Sequence, residues 1–349
     1  MKKVAFSLVA IVTMGASAYA DTSDKISGEV SAFSKKVTQD GQRDTGYTNS
    51  SVSINYQRSL TNEIKLNLGF IGNNVLNEKN NGDFGKSSAQ LRVSNLAYEN
   101  SDFGLSIGRQ AIGHDWFGDY FEAAVATYNG IENTAIKVAY ANKRNGGGND
   151  GALSDFTNRD AGKATLIDGV YTINDTNKIQ LYYFGGSKFF TAIGGKYSTS
   201  IQGVGLSARY VATNEDSRSG KENGSILNID GTYTMDNFNF KAGYAQTGKK
   251  SGVGSLIVYG DSGNPFDEND QFFGIDTSTL YVGAGVTVSK INLSGLYGTT
   301  SYGSSDRSEF DIAISTKIID NLELKASYAD ISDDAGDKSF TKLRVIYTF

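Results

Sequence analysis

The sequence predicts an all-β protein: a transmembrane up-and-down antiparallel β-barrel of eighteen strands, with sixteen as the alternative count. Three observations carry this. The composition sets 41 Gly, 20 Tyr and 19 Phe beside a single Pro, which favours strands and flexible connectors over helices. Apolar residues recur at every second position, the period that sends neighbouring side chains to opposite faces of a strand. The connectors alternate in length, short then long. Beyond the first 20 residues no run approaches the roughly 18 apolar residues of a spanning helix, so a polytopic helical membrane protein is excluded.

Residues 1–20 read as a cleaved secretory signal. Met1-Lys2-Lys3 is the cationic start, Val4 to Ala16 the apolar stretch, and Ala18-Tyr19-Ala20 a small-x-small cleavage site before Asp21. At about 13 residues the apolar core is too short for an anchor helix. The mature domain is then residues 21–349, and loss of Lys2 and Lys3 takes the net charge from -5 to -7.

Alternation is clearest in six segments. Val52, Ile54 and Tyr56 alternate with Ser53 and Asn55, and Ile64, Leu66, Leu68 and Phe70 with Lys65, Asn67 and Gly69. Phe238, Phe240, Ala242 and Tyr244 form another such face, as do Leu280, Val282, Ala284, Val286 and Val288. Phe310, Ile312 and Ile314 follow, then Leu322, Leu324, Ala326 and Tyr328. A soluble sandwich would alternate in the same way, so connection length has to decide. Short polar turns are expected at Thr61-Asn62, Asn129-Gly130, Asn174 to Asn177, Asp236-Asn237, Ser289-Lys290 and Asp320-Asn321. Longer connectors are expected near 38–48, 73–86, 143–162, 212–223, 248–277, 299–306 and 330–338. Outer-membrane barrels sort their connections this way, with tight periplasmic turns and larger external loops; Greek-key sandwiches do not. Eighteen strands follow, near 25–37, 49–59, 63–72, 87–98, 103–110, 122–128, 134–142, 163–173, 178–186, 189–197, 201–211, 225–235, 238–247, 278–288, 291–298, 307–318, 322–329 and 339–349. The weakest hairpin needs Ser198-Thr199-Ser200 as its turn, which is why sixteen strands stays open.

Tyr56, Tyr128, Tyr171, Tyr233 and Tyr347 lie close to short turns or the C-terminus, where an interfacial aromatic belt belongs. The last strand carries Leu343, Val345, Tyr347 and Phe349 on one face and ends on that Phe. As the closing strand it is an open edge before it pairs, available to be read during assembly.

The leader, the alternating strands and the terminal Val345-x-Tyr347-x-Phe349 resemble a Gram-negative outer-membrane porin. Asp102-Phe103-Gly104-Leu105-Ser106-Ile107-Gly108-Arg109-Gln110 is similar to the strand that precedes the constriction loop in trimeric general-diffusion porins, and the strand count resembles the major porins of the Campylobacter type. The resemblance implies the outer membrane of a Gram-negative bacterium, contact with its lipid and lipopolysaccharide, and a homotrimer. It also implies barrel assembly machinery that reads Val345, Tyr347 and Phe349. It further implies that the third external loop folds inward. The corresponding stretch, Ala111 to Glu122, carries His114, Asp115, Trp116, Asp119, Tyr120 and Glu122, but is shorter than the family's and lacks its Pro-Glu-Phe-Gly signature. Arg109 carries over as a wall arginine. Strict alternation from Phe103 and Ile107 would face it outward, and a bulge near Gly108 would reconcile the two.

By alternation Lys65, Arg92, Lys137, Lys241, Lys325 and Arg344 face the pore, as do Glu29, Asp168, Asp230, Asp311 and Glu323. Opposed fixed charges across a narrow aqueous gap favour small polar solutes, and the net charge predicts weak cation selectivity. The expected function is a water-filled channel for passive diffusion of ions and small hydrophilic solutes. A solute-selective channel is the alternative, with Trp116 and Tyr120 as a stacking track for sugars or aromatic compounds; a surface adhesin with a plugged lumen is another. Catalysis is not expected. There is no Cys, His114 is the only His, adjacent His114 and Asp115 point apart on an extended chain, and no Ser is marked as a nucleophile. No cofactor is expected. Asp267-Glu268-Asn269-Asp270 and Asp333-Asp334-x-x-Asp337 could hold a divalent cation, though neither has full EF-hand spacing. Lys35-Lys36 is too small a basic run for nucleic acid in an acidic chain.

Overall fold

The computed structural model describes residues 24–157, 163–261 and 263–349; the signal sequence expected over residues 1–20 lies outside the described residues. The described residues form eighteen antiparallel strands. They are β1 (Asp24–Gln39), β2 (Thr45–Ser59), β3 (Ile64–Glu78), β4 (Ser88–Glu99), β5 (Phe103–Ala111), β6 (Tyr120–Ile131), β7 (Thr134–Asn145), β8 (Ala164–Asn174) and β9 (Asn177–Gly186). The second half comprises β10 (Phe190–Ile201), β11 (Val204–Glu215), β12 (Ser225–Met235), β13 (Phe238–Thr247), β14 (Thr277–Val288), β15 (Ile291–Tyr302), β16 (Ser305–Ile319), β17 (Leu322–Asp333) and β18 (Lys338–Thr348). Successive strands pair, and β1 pairs with both β2 and β18, which closes the sheet into a barrel. The eighteen-strand count holds and sixteen is set aside.

Alternation works here in the sense opposite to a soluble barrel. On β7, Val138 and Tyr140 are 43% and 45% exposed, while Ala139 and Ala141 between them are 1% and 2% exposed. Large apolar side chains therefore face out, where hydrocarbon satisfies them, and the inward positions are small, polar or covered by loops. On β18 the exposed Leu343, Val345 and Tyr347 belong to this outer wall. Phe349 ends it, its backbone N–H and C=O both bonded to Gly28 of β1.

Two turns differ from the expected ones. The β10–β11 hairpin continues past Ser198-Thr199-Ser200 and turns at Gln202-Gly203, both left-handed at φ +50° and +81°. That conformation matches the twist of a two-residue hairpin, and the glycine supplies the freedom a run of Ser and Thr lacks. The β6–β7 turn is Glu132-Asn133, not Asn129-Gly130, which instead lies at a pairing irregularity between Tyr128 and Ile131. There an Asn-Gly pair makes a bulge rather than a turn.

The apolar core sits inside the barrel. Trp116 and Phe117 pack with Phe121, Phe184, Phe190, Leu256, Tyr259 and Phe272, linking two connectors to the walls of β6 and β9–β10.

Candidate functional site

The third loop, L3, joins β5 to β6 and packs against the inner face of the barrel wall. Trp116 is fully buried. Its indole N–H donates to the Tyr182 hydroxyl on β9 at 2.9 Å, and the Arg209 guanidinium lies 4.7 Å from its ring centroid. Tyr182 in turn lies flat against Gly194 of β10, where a Cβ would come within 2.4 Å of its ring, so only glycine leaves room for this anchor. Asp115 accepts from Arg209 at 3.1 Å and Lys196 at 3.4 Å. The His114 ring stands edge-on to Tyr182 at 4.7 Å, with Nδ1 accepting the Trp116 backbone N–H at 3.3 Å. Lys137 donates to the carbonyls of Ile112 and Gly113 at 3.2 and 2.7 Å. Asp119 pairs with Arg144, and Gly118 N–H donates to Tyr259 C=O at 3.2 Å.

Two further loops fold inward, and the sequence reading missed both. L7, between β13 and β14, crosses the barrel. At one end Glu215 of β11 accepts from Ser255 N–H and Oγ at 2.7 and 2.8 Å. At the other, Asp267 N–H and Glu268 N–H donate to Asp311 and Glu309 of β16 at 3.2 and 2.9 Å. L4, between β7 and β8, sends residues 147–151 to the wall of β1–β3. Asn73 donates to Gly148 C=O at 2.6 Å, Asn49 to Asn149 C=O at 3.1 Å, and Asn149 to Glu29 at 2.9 Å. A signal was available: Val253, Leu256, Tyr259, Phe266 and Phe272 are too apolar for a solvated loop, and all are buried.

The remaining wall residues are distributed around this plug. Lys65 pairs with Glu99 at 3.1 Å, Arg344 with Glu29 at 2.9 Å and Lys325 with Glu323 at 3.4 Å. Lys241 stands 5.3 Å over the Tyr281 ring, whose hydroxyl bonds Asp230. Asp168 accepts from Gln180 at 2.9 Å. Arg92 stacks over Tyr120 at 4.4 Å, and Tyr120 borders a cavity of about 550 Å³ with Asn67, Asn95 and Gln110.

Three expectations need correction. Arg109 and Glu122 are not on the pore side. Glu122 alternates with the inward Phe121 and Ala123, and Arg109 pairs with it at 3.1 Å on the outer face, stacked on Phe156 at 4.2 Å. Gly108 has φ +131°, but pairing runs through it without the inserted residue that would turn Arg109 inward. Trp116 cannot stack a solute, because its ring is covered on all sides. The acids of 267–270 are taken up by lysine and arginine: Lys342 reaches Asp267 and Glu268 at 2.8 and 2.6 Å, Lys35 reaches Glu268 at 2.8 Å, and Arg307 pairs with Asp270 and Asp333.

A family model described as Gram-negative porin matches residues 7–349. The chain belongs to the Gram-negative porin family. The porin's fold is also that of solved outer-membrane structures. Pseudomonas aeruginosa OpdQ is similar at a TM-score of 0.79 and 14% identity, over 94% of this chain and 99% of that one. Acinetobacter baumannii OccAB4 gives 0.78 and 13%, over 93% and 98%. Pseudomonas aeruginosa OccK8 (OprE) gives 0.78 and 15%, also over 93% and 98%. No curated protein matches the sequence. The porin is an outer-membrane channel for small solutes and not an enzyme.

Proposed function

We propose that this porin is a passive, water-filled channel for ions and small hydrophilic solutes, with weak cation selectivity. The observation that carries the reading is the lumen itself. L3, L4 and L7 cross it, and beside L7 a cavity of about 400 Å³ remains, with the charged Asp267, Asp311, Lys325, Lys342 and Arg344 among its lining residues. Charges of both signs across a narrow hydrated gap select against apolar solutes, and the acidic net charge biases the whole channel toward cations. Planar-bilayer reversal potentials in a KCl gradient test this: a modest preference for K⁺ is expected, and clear anion selectivity overturns it.

A second reading rests on the same cavity. Lys325, Lys342 and Arg344 line it together with the inward Phe33, cations and an aromatic side chain in one cavity, which suits a small aromatic carboxylate. A similar solved structure is Pseudomonas aeruginosa OpdK with vanillate. Liposome swelling separates the two, since saturation by one solute class belongs to a selective channel alone. A surface adhesin remains the reading if bilayers show no conductance steps. We also infer a homotrimer, and assembly by machinery that reads the outward Val345, Tyr347 and Phe349; the exposure of the first two on the closing strand supports the latter.

A further inference from the structure

The inner wall of β1–β5 borders a second cavity, and its lining is amide rather than charge. Its volume is about 550 Å³, within the range of about 300–1,000 Å³ usual for ligand pockets. The register sets Gln57 of β2 opposite Asn67 of β3, and Asn67 opposite Asn95 of β4, so three amides stand in one row on the inward face. The row is bonded in one direction. Gln57 donates to Asn67 at 2.9 Å, Asn67 to Asn95 at 2.9 Å, and Asn95 to the Arg109 carbonyl at 3.2 Å. Each amide offers two N–H donors and two carbonyl lone pairs, and the row uses one donor from each. None of the three has a buried polar atom without a partner, so the capacity left over opens to the lumen. Asn55 and Ser27, opposite each other on β2 and β1 and both exposed, extend the lining. Gly69 lies between Asn55 and Val93. A Cβ there would come within 2.9 Å of the Asn55 amide oxygen and 2.8 Å of the Val93 Cβ, so glycine keeps the notch between them open.

We propose that this row binds a neutral polyhydroxylated solute, a small sugar or sugar alcohol, through pairs of adjacent hydroxyls. The site rests on the channel reading and deepens it by naming a substrate class for one stretch of wall. Two neighbouring hydroxyls present a donor and an acceptor side by side, and the free N–H and C=O of an amide answer both. The ladder holds the amides oriented before the solute arrives, which lowers the cost of ordering them on binding. Charge points the same way. Among the described residues lining the cavity, Lys25 alone is charged, and it is exposed at the short-turn end of β1. Two positions beyond Ser27, Glu29 is already taken by Arg344 and Asn149, each at 2.9 Å. An ion therefore gains little here over water. An apolar solute would cover the amide edges and leave them unpaired, which is costly. A sugar satisfies them, and the half-buried Val93 meets the C–H face of its ring.

The test is saturation-transfer difference NMR on the full-length porin in detergent. The probe is D-glucose, and triethylene glycol dimethyl ether serves as an uncharged solute of similar mass that accepts hydrogen bonds but cannot donate them. Wild type should give a saturable glucose signal and no saturable signal from the ether. Gln57→Leu/Asn67→Leu should weaken glucose binding by about tenfold or more, the usual worth of one or two hydrogen bonds. Asn239→Leu, which removes a lumen amide on β13, should bind like wild type. The site is overturned by an unsaturable glucose signal in wild type, by equal binding in the double variant, by an equal loss in Asn239→Leu, or by saturable binding of the ether. Should the double variant fail to fold, Asn55→Leu, which lies outside the ladder, carries the comparison: a severalfold loss is expected, and binding equal to wild type overturns the site. Conductance steps in sugar-free KCl test the porin reading separately, so bound glucose without steps would count against the channel and leave the site standing.

Discussion

Asp115 and His114 hold L3 through groups that protonation changes. Burial would push the Asp115 carboxyl up, but Lys196, Arg209 and the His114 ring together outweigh it and hold it below the usual range. Burial, with Lys137 and Arg209 nearby, pulls the His114 imidazole down despite Asp168 and Asp115. Free of the fold these groups titrate near about 4 and about 6.5. With both values depressed when docked, each binds more protons once L3 is released, so docking is full above the free values and is lost as pH falls through the docked ones. Single-channel traces should therefore be steady from pH 8 to 7. Open-state noise should grow below about 6.5, from His114, and again below about 4, from Asp115. His114→Gln should remove the first step and leave the second. Noise that grows toward alkaline pH instead would contradict this account.

Strands were legible and inward loops were not, and the reason lies in how far each signal reaches. An alternating pattern such as Ile64 to Phe70 is local, and it fixes β3 without knowledge of its neighbours. The destination of L7 depends on Arg307, Lys342, Lys35 and Glu215, which come from β16, β18, β1 and β11, and no spacing in the sequence joins them. Arg109 failed for a related reason: a motif placed it inward, while plain alternation from Ile107 placed it outward and was correct. Trp116 was read as part of a stacking track and not as an anchor, because its partner Tyr182 is remote in the chain. L7 gives an element-scale prediction. Arg307→Ala leaves Asp333, whose side chain is 2% exposed, buried without its cation. Breaking such a pair costs about 3–5 kcal/mol. Asp270 is released at the same time, so L7 should become cleavable between 248 and 276 by an external protease in intact cells and the channel should conduct more. Protease resistance equal to wild type would show that the aromatic cluster alone holds the loop.

At the scale of the whole barrel, closure is the step on which every other contact depends, because β1 and β18 are distant in sequence and meet only when the sheet curls round. The seam ends with Gly28 and Phe349. Their backbones exchange two hydrogen bonds of 2.9 and 3.1 Å, and the terminal ring covers Gly28 so closely that a Cβ would sit 2.4 Å from it and 2.5 Å from Ser53 C=O. Gly28→Ala should therefore overpack the seam, at about 1–3 kcal/mol. Phe349→Ala alone should lose the apolar cover of the last turn. In the double variant the ring clash is gone while the Ser53 contact stays, so its cost should be smaller than the sum of the two single costs, the signature of residues in contact. Urea unfolding in lipid, followed by the shift in gel mobility between folded and denatured barrel, measures all three. Strictly additive costs would mean that Phe349 and Gly28 do not share the seam, and closure would then rest on the β1–β18 ladder alone.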